Sequence, residues 1–136
     1  MLAGIDAPTL KQIDKRAPSI DFLSFQIYGE IDQLPAILKK AKYTGPYQLT
    51  EWGPTEHWES PETQWKRPIE PTSSTKAADI ARRYHHIILA DKARCLGSYI
   101  FLWGQKQERT PTWYGITLLT WYRLATRRRL IGLTTW

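Results

Sequence analysis

Cysteine is nearly absent: Cys95 stands alone among 136 residues. One thiol excludes an intrachain disulfide and any cysteine-rich metal site. It precedes an apolar run, so a buried free thiol is the default expectation. No apolar stretch reaches the ~18 residues that a membrane helix needs, so no membrane span is expected. No charged, apolar and cleavage-site series opens the chain, so no signal peptide is read there. Glycine-rich phosphate loops, Walker sequences, HExxH pairs and serine nucleophile elbows are also missing. Nucleotide and zinc-hydrolase chemistry therefore lack support, and no cofactor or metal is expected.

Acidic residues are missing from one end only. Residues 109–136 hold five Arg and no Asp or Glu, while residues 1–108 hold all 13 acids against 14 basic residues. The net charge of +6 therefore belongs mostly to the tail. A nucleic-acid groove needs basic residues spread over one face of the fold, so nucleic acid is not an expected partner. A minor alternative stays open: a basic module that binds polynucleotide through its aromatics and the Arg127-Arg128-Arg129 run. Its binding would be steeply salt-dependent and would vanish on deletion of 117–136.

What is present is an alternation of helical and extended patterns. Residues 8–17 carry Leu10, Ile13 and Ala17 on one stripe with Pro8 in the first turn, and Pro18 ends the helix. Ile20 to Tyr28 is a β-rich run closed by Gly29. Asp32 can cap the next helix, in which Leu34, Ile37, Leu38 and Ala41 follow helical spacing. Gly45-Pro46 breaks the chain before a short strand, Tyr47 to Thr50, with Glu51-Trp52-Gly53 at its end. A long loop over 53–72 contains four prolines, His57, Trp58 and Trp65. Loops of that length are usually functional or disordered, and two tryptophans argue against disorder.

Ser73 or Ser74 can cap the following helix, whose inner face and edge are Ala77, Ile80, Ala81, Tyr84, Ile87, Ile88 and Asp91. Cys95 to Trp103 is the last strand. From residue 116 the periodicity fails, which points to a readthrough, a frameshift or a non-native end, with an amphipathic helix as the competing view.

Strands separated by helices imply βαβ units and a parallel sheet, whose ligand site lies at the C-terminal strand ends. Tyr28, Glu51-Trp52 and Trp103-Gly104-Gln105 all fall at such ends. A carboxylate in that position is expensive unless it is used or paired. Glycoside hydrolysis supplies a use, because a retaining enzyme needs two carboxyl groups about 5 to 5.5 Å apart. Glu51 fits the nucleophile, Tyr28 can keep it ionised, and Trp103 can hold a sugar ring. Trp52, His57, Trp58 and Gln105 are further candidate substrate contacts. Glu56 and Glu59 read more readily as solvated loop carboxylates. Glu108 reads as a surface ion pair with Lys106 or Arg109. The pair His85-His86 lies within a helix, one facing solvent and one the edge, without a partner set for metal.

Leu49-Thr50-Glu51-Trp52-Gly53 resembles the motif at the end of the seventh strand in clan A (β/α)8 glycoside hydrolases, a group that includes families 2 and 5. Ile20-Asp21-Phe22 through Tyr28-Gly29 resembles the sixth strand, and Leu96 to Gly104 the eighth. Gly53 to Glu59 and Thr110 to Gly115 add to the likeness with bacterial family 2-like barrels. Met1-Leu2-Ala3-Gly4 resembles the end of the fifth strand. The resemblance covers residues 1–115 and implies the C-terminal half of a TIM barrel (about strands 6–8), with 116–136 as an atypical tail.

It further implies a retaining hydrolase or transglycosylase acting on β-linked glycans, with Glu51 as nucleophile. The bacterial parent would work in the periplasm, at the cell surface or outside the cell. The family places its acid/base Glu after an Asn on the fourth strand. The expectation is therefore an unstable, catalytically silent isolated chain that needs the N-terminal half of its barrel. A carbohydrate-binding protein without cleavage is the alternative.

Overall fold

Asp6 begins the first helix by capping it: its carboxylate accepts from the Thr9 backbone N–H at 2.8 Å, and Pro8 sits in the first turn. In the computed structural model, which describes residues 2–3, 5–104 and 106–116, this helix α1 spans Ala7–Arg16. It follows a two-residue strand, β1 (Leu2–Ala3), and leads to β2 (Leu23–Gln26). A 3₁₀ turn (Gly29–Gln33) then runs into α2 (Leu34–Ala41), followed by β3 (Tyr47–Trp52). Helix α3 (Ser73–Arg83) continues as one π turn (Tyr84–Ile88) and one 3₁₀ turn (Leu89–Asp91) before β4 (Cys95–Ile100).

All neighbouring strands pair in parallel, in the order β1-β2-β3-β4. The mixed α/β class and the parallel sheet agree with the sequence reading. Because the order is sequential and never reverses, crossovers of the usual right hand put every helix on the same side of the sheet. Burial agrees. Leu23, Phe25, Tyr47, Leu49 and Trp52 pack with Leu10, Leu34, Leu38, Ile80, Tyr84 and Ile88 in one core. The alternate positions Ser24, Gln26, Gln48 and Thr50 are only half-buried. One face of the sheet is thus apolar and covered; the alternate positions of β2 and β3 are polar, while β4 exposes Leu96 and Tyr99.

Several boundaries differ from the sequence pattern. The ladder of β2 opens only at Leu23, which pairs with Tyr47 and donates to the Pro46 carbonyl at 3.2 Å. Ile20 and Phe22 precede it and are exposed. Strand β4 stops at Ile100 because Leu102 leaves the sheet to donate to the Tyr114 carbonyl at 3.1 Å. Thr72, not Ser73 or Ser74, caps α3 by accepting from Thr75 N at 3.2 Å. His85 and His86 are both exposed. Cys95 is buried as expected.

Asp32 caps nothing. A 3₁₀ turn stands where the cap was expected, and Asp32 instead binds Arg82 at 2.6 and 3.0 Å and Arg83 at 3.3 Å. Those hydrogen bonds from Arg82, with both positive charges, hold its carboxyl below the usual carboxylate range. Helical spacing alone did not place two cations, Lys76 and Arg83, among the buried residues of α3.

Arg83 is 3% exposed. It also donates to the Gly53 carbonyl at 3.0 Å and to Thr55 Oγ1 at 2.9 Å, tying the loop after β3 to α3. Arg82 is exposed, and exposed ion pairs contribute little. Replacing Arg83 with Met should therefore cost about 3 kcal/mol, because buried acceptors lose a charged donor. Arg82→Met should cost less than about 1 kcal/mol. Urea unfolding of the two variants checks this, and equal losses would contradict it.

Candidate active site

After Leu49, strand β3 carries one residue more than the stretches paired with it. Phe25 pairs with Leu49, but the next pair is Gln26 with Glu51, so Thr50 is skipped. Against β4, Leu49 pairs with Ser98 and Trp52 with Ile100, so three steps along β3 again meet two along its neighbour. Such bulges re-aim side chains. Without the extra residue, strand alternation would send Glu51 to the core side with Leu49 and Trp52 to the open side. With it, Thr50 and Glu51 are both half-buried, and Trp52 returns to the core.

Glu51 is held from two directions. The Tyr28 hydroxyl donates to Oε1, and Gln26 Nε2 donates to Oε2 at 3.0 Å. The backbone repeats the link, with Ile27 N donating to the Glu51 carbonyl at 2.9 Å. Burial first, then the hydrogen bond and the charge of Glu51, push the Tyr28 phenol well above its ordinary range. Tyr28 therefore stays protonated and acts as a donor to the carboxylate. The structure brings Glu51 and Tyr28 together as the sequence suggested. Gln26 was missed, and its only sequence signal is a polar residue inside a β-rich run.

The sequence pattern suggests solvated carboxylates in the loop after β3, and here the structure differs most. Glu56 is 5% exposed. Its Oε2 accepts from the Tyr114 hydroxyl, and its carbonyl accepts from Ser60 Oγ at 2.9 Å. Glu59 accepts three backbone N–H groups: Gly29 at 2.8 Å, Glu30 at 2.9 Å and Glu56 at 3.0 Å. A Cβ on Gly29 would lie 2.6 Å from a Glu59 oxygen, so a side chain there would displace the carboxylate from these amides. His57 lies with its Nδ1 3.3 Å from the Tyr114 oxygen and 4.0 Å from Glu56 Oε2.

The chain after β4 completes this cluster. Tyr114 packs edge-on against Tyr28 and Phe101, with ring centroids 5.8 and 5.6 Å away. Trp113 is buried and donates Nε1 to the Thr55 carbonyl at 3.0 Å. Lys76 fixes the segment from below, reaching the carbonyls of Thr112 at 2.7 Å and Trp113 at 3.1 Å. Glu70 accepts from Lys76, Thr110 and Thr112. Burial raises the Glu70 carboxyl, but these donors together bring it below its ordinary value.

The other sequence candidates separate. Trp58 and Trp103 are 69% and 66% exposed, and the Trp58 ring meets His57 edge-on at 4.6 Å. Trp52, expected as a substrate contact, belongs to the core because the bulge turns it there, and its indole Nε1 is buried without a hydrogen-bond partner. Gln105 and the 117–136 tail lie outside the described residues. Glu108 pairs with Lys106 at 3.0 Å, as an ordinary ion pair. Among the described residues no cluster of His, Cys, Asp and Glu is arranged to hold a metal.

Glu56 carries a pH dependence. Burial raises its carboxyl from 4.5 to about 7, against the Tyr114 hydrogen bond and with repulsion from Glu59, Glu108 and Glu51. Burial and the Arg109 charge depress the nearby His57 imidazole. The folded chain keeps a proton on Glu56 that the unfolded chain releases above 4.5, so this contribution to stability is present at low pH and lost as pH rises through about 7. Relative to the wild type, Glu56→Gln should gain stability steadily between those values. Thermal unfolding of both proteins at a series of pH values measures it, and a pH-independent difference would refute it. No protein-family model matches this chain, and no curated protein matches it.

Proposed function

We propose that the Glu51 site belongs to a retaining glycoside hydrolase or transglycosylase for β-linked glycans, and that the sheet is the C-terminal half of a (β/α)8 barrel. The carrying observation is the Glu51 carboxylate at the C-terminal end of a parallel strand, oriented by Tyr28 and Gln26. Sequential parallel strand order, with the helices on one face, is how a segment of such a barrel is built. A doubly wound sheet instead reverses its order at its ligand site.

In the proposed reaction a Glu51 oxygen attacks the anomeric carbon and the glycosidic bond breaks. Water or an acceptor sugar then displaces Glu51 from the glycosyl ester. Tyr28 holds the carboxylate in line and stabilises its charge before attack. Exposed Trp58 and Trp103 provide faces for sugar stacking. The family's Asn-Glu acid/base pair does not occur in this sequence, which contains no Asn. General acid help is worth ~10²- to 10⁴-fold, so natural glycosides should turn over poorly with this chain alone.

A substrate with a leaving group that needs no proton isolates the first step. Incubation with a 2-deoxy-2-fluoro-β-glycosyl fluoride should add one glycosyl unit, found by peptide mass spectrometry on Glu51. Glu51→Gln should not be labelled. Tyr28→Phe should label about 10- to 100-fold more slowly, as expected for losing a hydrogen bond to a charged group. Sugar binding without any label would favour a carbohydrate-binding protein, and a label elsewhere would remove Glu51 from the role.

A further inference from the structure

Beyond the Glu51 site, the loop from β3 carries a second built feature. Residues 61–69 double back on themselves: Ile69 N donates to the Pro61 carbonyl at 2.8 Å, Thr63 N to the Arg67 carbonyl at 2.8 Å, and Lys66 N to the Thr63 carbonyl at 3.0 Å. Arg67 N also donates to Thr63 Oγ1 at 3.2 Å, and Glu62 bridges Pro68 in antiparallel fashion. Lys66 takes a left-handed backbone with φ of 58°, which closes the turn. The tip is therefore fixed by its own backbone. At that tip Trp65 is 73% exposed, flanked by exposed Gln64, Lys66 and Arg67.

The exposed indole on this ordered turn offers a rigid apolar face that a ligand can cover at little ordering cost. Its neighbours decide which ligand. They are polar, so the tip is a single flat apolar face within a hydrogen-bonding and charged rim, not the contiguous apolar patch that inserts into a membrane. Lys66 pairs with one carboxylate, Glu62, whose Oε2 is 3.8 Å from its Nζ. The local balance is one positive charge in excess. A flat face beside cations matches a pyranose ring that bears a carboxylate: the ring's C–H face stacks on the indole, and the guanidinium of Arg67 pairs with the carboxylate.

We propose that the Trp65-Lys66-Arg67 tip is an outlying subsite for an acidic, uronate-containing β-glycan. This deepens the glycan reading of the Glu51 site and rests on it for the substrate class. The loop starts at Gly53, immediately after β3, so Trp58 and Trp65 both belong to the segment that leaves the strand end carrying Glu51.

Calorimetric titration of the full chain with a β-1,4-glucuronic acid hexamer and with the matching glucose hexamer tests this. The charged hexamer should bind at least about 10-fold tighter at low salt, with the advantage shrinking as salt rises. Trp65→Ala should weaken both ligands at least 10-fold. The double variant Lys66→Gln, Arg67→Gln should bring them to equal affinity, with circular dichroism unchanged in each variant. Equal affinities in the wild type, no measurable binding of either hexamer, or a silent Trp65→Ala would overturn the subsite. So would Trp65-dependent sedimentation with phosphatidylserine vesicles in place of hexamer binding. Glu51→Gln should keep the charged preference, so labelling of Glu51 and binding at the tip fail independently.

Discussion

Thr50 is the residue that the sheet cannot pair, and the site depends on it. Between Leu49 and Trp52, β3 is one residue longer than the stretches of β2 and β4 beside it. A strand of regular pleat offers only two directions, alternating. It could not place Leu49 and Trp52 in one apolar core and also leave the two intervening residues on the other face. The bulge does both. Its geometric consequence is that Glu51 lies beside Gln26, within reach of the Tyr28 hydroxyl, and is spared burial in the apolar core. Thr50 contributes further, its hydroxyl donating to the Phe25 carbonyl at 3.2 Å and so occupying an acceptor at the irregular step.

The ordered loop follows from a different constraint. Twenty residues without regular structure bury little apolar area of their own, so the cost of ordering them must be offset by anchors. Here the anchors are charged groups that accept or donate several bonds each. Glu59 satisfies three amides, Arg83 reaches Gly53, Thr55 and Asp32, and Lys76 with Glu70 secures the chain at Thr110, Thr112 and Trp113. Each would be costly if left unpaired in these surroundings, and each is paired. Glu56 is the exception that titrates. Its amide and carbonyl are satisfied, but burial first, and then three like charges, raise its carboxyl to about 7 against the one phenol that donates to it.

Hydrophobic periodicity made the helices, the strands and the covered face legible. Leu34, Leu38 and Ala41, or Ile80, Tyr84, Ile87 and Ile88, are buried as their spacing requires. Glu51 beside Tyr28 was legible too, because both end a β-rich run. Three things were not. Bulges leave no mark in a hydrophobic pattern, so Trp52 read as a substrate contact when it is core. Capping depends on which oxygen reaches a free amide first, and Thr72 and the arginine-bound Asp32 both departed from the simplest assignment. The long-range partners of Glu56 and Glu59 lie 58 and 30 residues away in the chain, a separation that no local window spans.

Two carboxyl groups with opposite environments now occupy neighbouring positions. Glu51 is on the open face and receives two donors; Glu56 is enclosed and holds its proton. This contrast argues against giving Glu56 the acid role in glycan cleavage. A proton donor must meet the leaving oxygen, and Glu56 is covered by Tyr114 and His57, with its one characterised carboxyl bond already spent on a phenol. Its reach is indirect, through the Tyr114 ring against Tyr28, which orients Glu51. In this arrangement Glu56 fixes the position of the aromatic wall, and the chemistry proposed for the site rests on Glu51 and the groups that aim it.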